Sequence, residues 1–104
     1  MGFQIDQTTK SIRDFYDILD YLAESLFSPS AVQNFSDTLE TCYARLREHP
    51  FLYAACEDAG LAAKGFRLAP VMRYLVFYTV EEETKRVRIH RILHGSRDYS
   101  QQID

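Results

Sequence analysis

Apolar side chains recur at alternating intervals of three and four over two stretches of the chain. Ile12, Phe15, Leu19, Leu22 and Leu26 form the first stripe; Val32, Phe35, Leu39, Cys42 or Tyr43, and Leu46 form the second. This spacing predicts two amphipathic helices. Thr8, Thr9 and Ser11 offer hydroxyls to cap the first. Ser28 and Pro29 both stop that helix and start the next, because proline cannot continue a helix yet suits its first position. The two helices are therefore expected to fold back as an antiparallel αα-hairpin. His49 precedes Pro50, which pushes it out of the α region and ends the second helix.

Beyond Pro50 the period changes from helical to alternating. Residues 74–80 and 86–93 are rich in Val, Ile, Leu, Tyr and Phe and flank a polar break at residues 81–85, which predicts a β-hairpin. Alternation puts Val87, Ile89, Arg91 and Leu93 on one face of the last strand and Arg88, His90, Ile92 and His94 on the other. Residues 66–68 predict a short strand leading through Pro70 into the hairpin, and Phe3, Gln4 and Ile5 an edge strand. A helical turn is expected over residues 54–58, broken at Gly60. Gly95 permits a sharp change of direction that gathers His94, Ser96, Arg97, Asp98 and Tyr99 at the end of the sheet.

Composition adds bounds to this picture. A chain of 104 residues with 46% apolar and 26% charged positions suits one globular domain over residues 1–104. No apolar run approaches the length of a bilayer span and no basic-then-apolar leader opens the sequence, which predicts a soluble cytoplasmic protein without a membrane partner. Cys42 and Cys56, the only cysteines, read as reduced structural thiols. Asp14, Asp17, Asp20 and Glu24 mostly fall off the first stripe and read as its solvated face, not as a metal site.

The net charge of −3 conceals a division. Residues 1–58 carry four basic and ten acidic side chains, a net −6; residues 59–104 carry eight basic and five acidic ones, a net +3. A locally basic surface can meet a polyanion whatever the total charge.

The sequence has no Gly-rich phosphate loop, no zinc-type Cys/His spacing and no nucleophile elbow, and it calls for no cofactor. What remains is the C-terminal cluster: Arg67, Arg73, Arg88, Arg91 and Arg97 as cations, His90 and His94 as proton carriers, and Tyr74, Tyr78 and Tyr99 as rings. An arginine fork matches phosphate geometry, and a histidine beside it can activate a ribose hydroxyl while the cation stabilises developing charge. Tyr74 and Tyr78 equally fit cross-strand packing. Arg88 and His90 equally fit the solvent side of a strand.

The stretch GFRLAPVMRYLVFYTVEEETKRVRIHRILHGSRDY, residues 65–99, resembles the C-terminal half of the RelE/ParE superfamily of type II toxin–antitoxin toxins, ParE-like and plasmid-stabilisation members in particular. The matching features are Gly65 with Arg67, Pro70 with Val71, the Tyr74–Tyr78 strand, the acidic turn at residues 81–83, and Arg91 through Asp98. The proline-punctuated helical hairpin extends the resemblance over nearly the whole chain. It implies an α+β fold of order β-α-α-β-β-β, an antiparallel sheet packed on an N-terminal αα-hairpin, and a cognate antitoxin as partner.

Two activities follow from the resemblance. A RelE-like toxin inhibits growth as an endoribonuclease that cleaves messenger RNA on the ribosome; here His94 would be its general acid or base, Arg67 and Arg97 would hold the scissile phosphate, Tyr99 would stack on a base, and Arg73 and Arg91 would bind substrate. A ParE-like toxin poisons DNA gyrase without breaking a bond. A third reading is a toxin-like protein that binds antitoxin but has lost its activity. Two departures bear on the nuclease: the sequence pI is near 5.6, and only Lys64 stands where many such nucleases carry a lysine-rich segment.

Overall fold

In the computed structural model, which describes residues 2–25, 27–96, 99 and 103, helix α1 spans Thr9–Asp20. Thr8 caps it: its side chain accepts from the Ser11 amide at 3.1 Å, and the Ser11 hydroxyl donates back to the Thr8 carbonyl at 2.8 Å. The predicted stripe is rotated. Ser11, Ile18 and Leu22 are buried with Phe15 packed beside them, whereas Ile12 is 41% exposed. Ser11 can take the inner position because its hydroxyl is already satisfied, so burial leaves no orphaned polar group. A π-helical turn, Tyr21–Ser25, ends the first helix. Leu26, the last position of the expected stripe, lies outside the described residues.

Helix α2, Pro29–Glu48, begins as expected, with Ser28 as cap and Pro29 in the first turn. Phe35, Leu39, Cys42, Tyr43 and Leu46 are its buried face. Helix α3 occupies Ala59–Ala63, C-terminal to the turn expected at residues 54–58 and running through Gly60. Asp58 explains the shift: its carboxylate caps the Leu61 amide at 3.0 Å, so the helix starts after it and tolerates the glycine within.

Four strands follow the order β1-β4-β3-β2, where β1 is Gln4–Gln7, β2 Arg67–Val71, β3 Tyr74–Glu81 and β4 Arg86–His94. β2, β3 and β4 are antiparallel neighbours, but β1 pairs parallel to β4, with Gln4 opposite Arg86 and Gln7 opposite Ile89. The sheet is therefore mixed, not wholly antiparallel as the family resemblance implied. The parallel pair is possible because helices α1 and α2 lie between β1 and β4 in the chain, long enough for a crossover.

The alternation along β4 breaks once. Phe77 faces Arg91 while the next residue, Tyr78, faces Ile89, so His90 is the extra residue of a bulge. A bulge reverses which residues point inward beyond it. Val87 and Ile89 before it, and Ile92 after it, all join the core under α1 and α2, and Leu93 joins a second cluster with Cys56, Leu61, Phe66, Phe77 and Ile103 on the opposite face. The expected grouping of Val87, Ile89, Arg91 and Leu93 on one face fails at that residue. Tyr74 and Tyr78 belong to the helix-side core; the Tyr78 hydroxyl donates to the Pro50 carbonyl at 3.0 Å.

Candidate functional site

β1 stops at Gln7, opposite Ile89, so the second half of β4 has no strand on that side. Two α1 groups replace it. The Thr8 hydroxyl donates to the His90 carbonyl at 2.9 Å, and an Asp14 carboxylate oxygen accepts the Ile92 amide at 3.0 Å. Asp14 also accepts from Arg91, from Nε at 2.7 Å and from Nη2 at 3.0 Å. The two side chains are 12% and 18% exposed, so the pair is largely removed from water. Asp14 is thus a structural anchor and not part of a solvated face. Arg91, expected to bind substrate, is paired with this carboxylate.

Beside this anchor lies an open groove of about 370 Å³ between Asp14, Asp17, Ile18 and Tyr21 on the helical side and Tyr74, Ile92, Leu93 and His94 on the sheet. His94 stands at its rim with its ring edge-on to Tyr74, centroids 5.4 Å apart, and Tyr74 in turn packs edge-on against Phe35 at 5.2 Å. The Ser96 amide donates to His94 Nδ1 at 3.1 Å. A backbone amide can only donate, so Nδ1 is the acceptor and the ring proton sits on Nε2. The Ser96 hydroxyl lies 2.7 Å from the same nitrogen. Tyr74 is pushed above its ordinary value, by burial first and by Tyr21 second, and stays a neutral phenol at neutral pH.

The other expected site residues are dispersed. Val71 and Tyr74 are partners, as are Tyr74 and His94, so Arg67 at the start of β2 lies four residues, about 13 Å, farther down the sheet. Its Nη1 donates to the Tyr53 carbonyl at 2.7 Å and its guanidinium covers the Phe51 ring at 4.9 Å, which ties down the loop after α2. Tyr99 packs on Phe77, centroids 4.8 Å apart, in the second core cluster. Arg73 is exposed in the β2–β3 turn and its carbonyl accepts the Gly95 amide at 2.8 Å, so it does adjoin His94. Arg97 lies outside the described residues. Asp14, Asp17 and Tyr21 were missed as a set, although their spacing of three and four along one helix was visible in the sequence.

His90 is close in sequence but not in the groove. Its Nε2 is 2.9 Å from the Thr79 hydroxyl and its ring packs edge-on to Phe66 at 4.8 Å. Burial, and then the Arg88 charge, lower its pKa below the ordinary 6.5. Among the described residues no helix is long and apolar enough to cross a membrane.

A family model described as the ParE toxin of the type II toxin–antitoxin system parDE matches residues 5–99. No curated protein matches the chain. Among solved structures, the chain is similar to one from the RelBE2 toxin–antitoxin complex of Mycobacterium tuberculosis, at 18% identity and TM-score 0.65, covering 90% of this chain and 99% of that one. A chain of the chromosomal ParDE system of P. aeruginosa is similar at 18% identity and TM-score 0.68, with coverages of 88% and 95%. A mutant of the E. coli toxin RelE in the free state is similar at 10% identity and TM-score 0.67, with coverages of 99% and 94%. At these identities the likeness is one of fold.

Proposed function

The chain belongs to the ParE toxin family of type II toxin–antitoxin systems, and within that family we propose that it acts by binding its target, DNA gyrase, without catalysing a reaction, and that a cognate antitoxin neutralises it. The observation that carries this reading is the commitment of Arg67 and Arg91 to partners within the fold. Cleavage of a phosphodiester needs positive groups aimed at the developing charge. Arg91 is held by Asp14 and Arg67 by the Tyr53 carbonyl, about 13 Å farther down the sheet than Val71, the β2 residue level with His94. His94 meanwhile shares its groove with Asp14 and Asp17. A phosphate placed there would meet the carboxylate of Asp17, which opposes the charge a nuclease must stabilise.

The RelE-like alternative, ribosome-dependent cleavage of messenger RNA, draws on one specific observation: Arg73 is exposed beside His94. In the binding reading, Arg73 is instead a contact for the target, whose loss weakens a complex without changing any bond-breaking rate.

The test is a pair of assays on the purified chain freed of antitoxin: supercoiling by DNA gyrase, and integrity of a defined messenger RNA on programmed ribosomes. The binding reading expects supercoiling to stop and the RNA to stay whole, with Arg73→Ala raising the concentration needed. RNA cut only with ribosomes present, and no effect on gyrase, would replace it with the RelE-like mechanism. Inactivity in both assays would leave the chain as a toxin-like protein without toxicity.

A further inference from the structure

We propose that the groove between α1 and the end of β4 is a socket for an arginine side chain donated by a protein partner, and that this partner is the antitoxin. The walls are two tyrosines, Tyr21 and Tyr74, with Ile18, Ile92 and Leu93 lining the space between them. Tyr74 is buried and held from behind by Phe35, so its ring is a fixed surface, while Tyr21 is 51% exposed at the opening. An aromatic wall can accept a flat cation such as a guanidinium.

The charge in the groove is negative and not fully used. Asp14 is engaged by Arg91 and the Ile92 amide, which shows that a guanidinium already fits this side of α1. Asp17 lies one helical turn farther along and is exposed; it makes no hydrogen bond or ion pair among the described residues. Asp20 and Glu24 continue the same sign toward the hairpin tip, in a half of the chain whose net charge is −6. His94 sits at the rim with its Nδ1 occupied by the Ser96 amide. Aromatic faces, an apolar floor and a free carboxylate at the mouth together match arginine better than lysine, because the planar fork both stacks and pairs with a carboxylate. They match a nucleic-acid phosphate poorly. A toxin that is acidic in its helical hairpin therefore asks for a basic residue on its antitoxin.

The inference rests on the toxin reading only in taking the antitoxin as the donor; the socket itself does not depend on which target is poisoned. The direct probe is N-acetyl-arginine amide, with N-acetyl-citrulline amide as its uncharged twin, titrated into the full chain while the ring signals of Tyr21, Tyr74 and His94 are followed by NMR. Saturable shifts of those three rings are expected with the arginine probe, and an affinity on the order of tenfold lower with citrulline or in Asp17→Asn. Because Asp17 is exposed, that variant should fold; Tyr21→Ala, also at an exposed position, gives an independent second loss.

Equal response to the two probes, an unchanged affinity in Asp17→Asn, or shifts confined to the acidic turn at residues 81–83 would overturn the socket. Co-purification with the antitoxin encoded beside it tests the donor: Asp17→Arg should weaken the complex on the order of tenfold or more. An unaltered complex would overturn the assignment of the antitoxin. Loss of gyrase inhibition as an activity, by contrast, would refute the functional reading and leave the arginine titration unchanged.

Discussion

Replacing Asp14 by Ala should destabilise the chain far more than replacing any other carboxylate of α1. The side chain is 12% exposed and accepts three hydrogen bonds, two from Arg91 and one from the Ile92 amide. Its removal leaves a largely buried guanidinium without this acceptor and a strand amide without its partner. Breaking a fully buried pair costs about 3–5 kcal/mol and an orphaned amide about 1–3 kcal/mol. Partial exposure and local relaxation reduce the sum, so about 2–4 kcal/mol is expected. For a domain near 100 residues that corresponds to a fall in Tm of about 10–25 °C.

Arg91→Met should cost less, about 1–3 kcal/mol, because Asp14 keeps its bond to the Ile92 amide. Thermal unfolding followed by circular dichroism measures both variants and their combination; a double-mutant cycle should return a coupling of at least about 1 kcal/mol. The reasoning fails if Asp14→Ala and Arg91→Met each change stability by less than about 0.5 kcal/mol, the usual range for surface substitutions. It fails more tellingly if Arg91→Met leaves stability intact and abolishes toxicity, since Arg91 would then belong to the site and not to the scaffold.

The remaining predictions concern other parts of the fold. His90 has a folded pKa below its unfolded value of about 6.5, so the fold favours its neutral form: its contribution is present above that value and is lost as pH falls toward the folded pKa. Tm should therefore drop more between pH 7.5 and pH 5 in the native chain than in His90→Gln. Burial pushes the Cys42 thiol up to about 11 and raises Cys56 as well, and both side chains are 4% exposed; a thiol reagent at pH 8 should label neither until denaturant is added. Phe35→Ala, at a fully buried ring packed on Phe15 and Tyr74, should cost about 3–5 kcal/mol in urea unfolding. Met72 is left-handed, φ 57°, and 51% exposed in the β2–β3 turn; Met72→Gly should relieve that strain and raise stability by about 0.5–1 kcal/mol.

The sequence carried the helices and the hairpin well because their signals are local. Ser28 with Pro29, the stripe from Phe35 to Leu46, and the acidic break at residues 81–83 each act through neighbours a few positions away. What it hid was decided at a distance. The parallel pairing of β1 depends on residues 82 positions apart, Gln4 with Arg86, and the bulge at His90 leaves no mark in the alternation itself, since His is neither a breaker nor a turn former. Ile12 looked like core because its spacing is right, but the inner position fell to Ser11, whose hydroxyl the cap satisfies.

The candidate site divided along the same line. His94 and Arg73 were brought together as the sequence suggested, through the bond between the Gly95 amide and the Arg73 carbonyl. Arg67 and Arg91 were expected at the same site from residue type and the family resemblance, and each guanidinium has a partner made by folding, a loop carbonyl and a helix carboxylate. Residue type could not reveal that, because a committed arginine and a free one are spelled alike.

The fate of nucleic acid in arrested cells separates target binding from RNA cleavage most directly. After induction of the chain without antitoxin, plasmid topology and the 5′ ends of messenger RNAs should be mapped from the same culture. The binding account predicts plasmid DNA that has lost negative supercoiling while messenger RNAs keep their normal ends. New ends within translated reading frames, appearing in the native chain and vanishing in His94→Ala, with supercoiling unchanged, would contradict it.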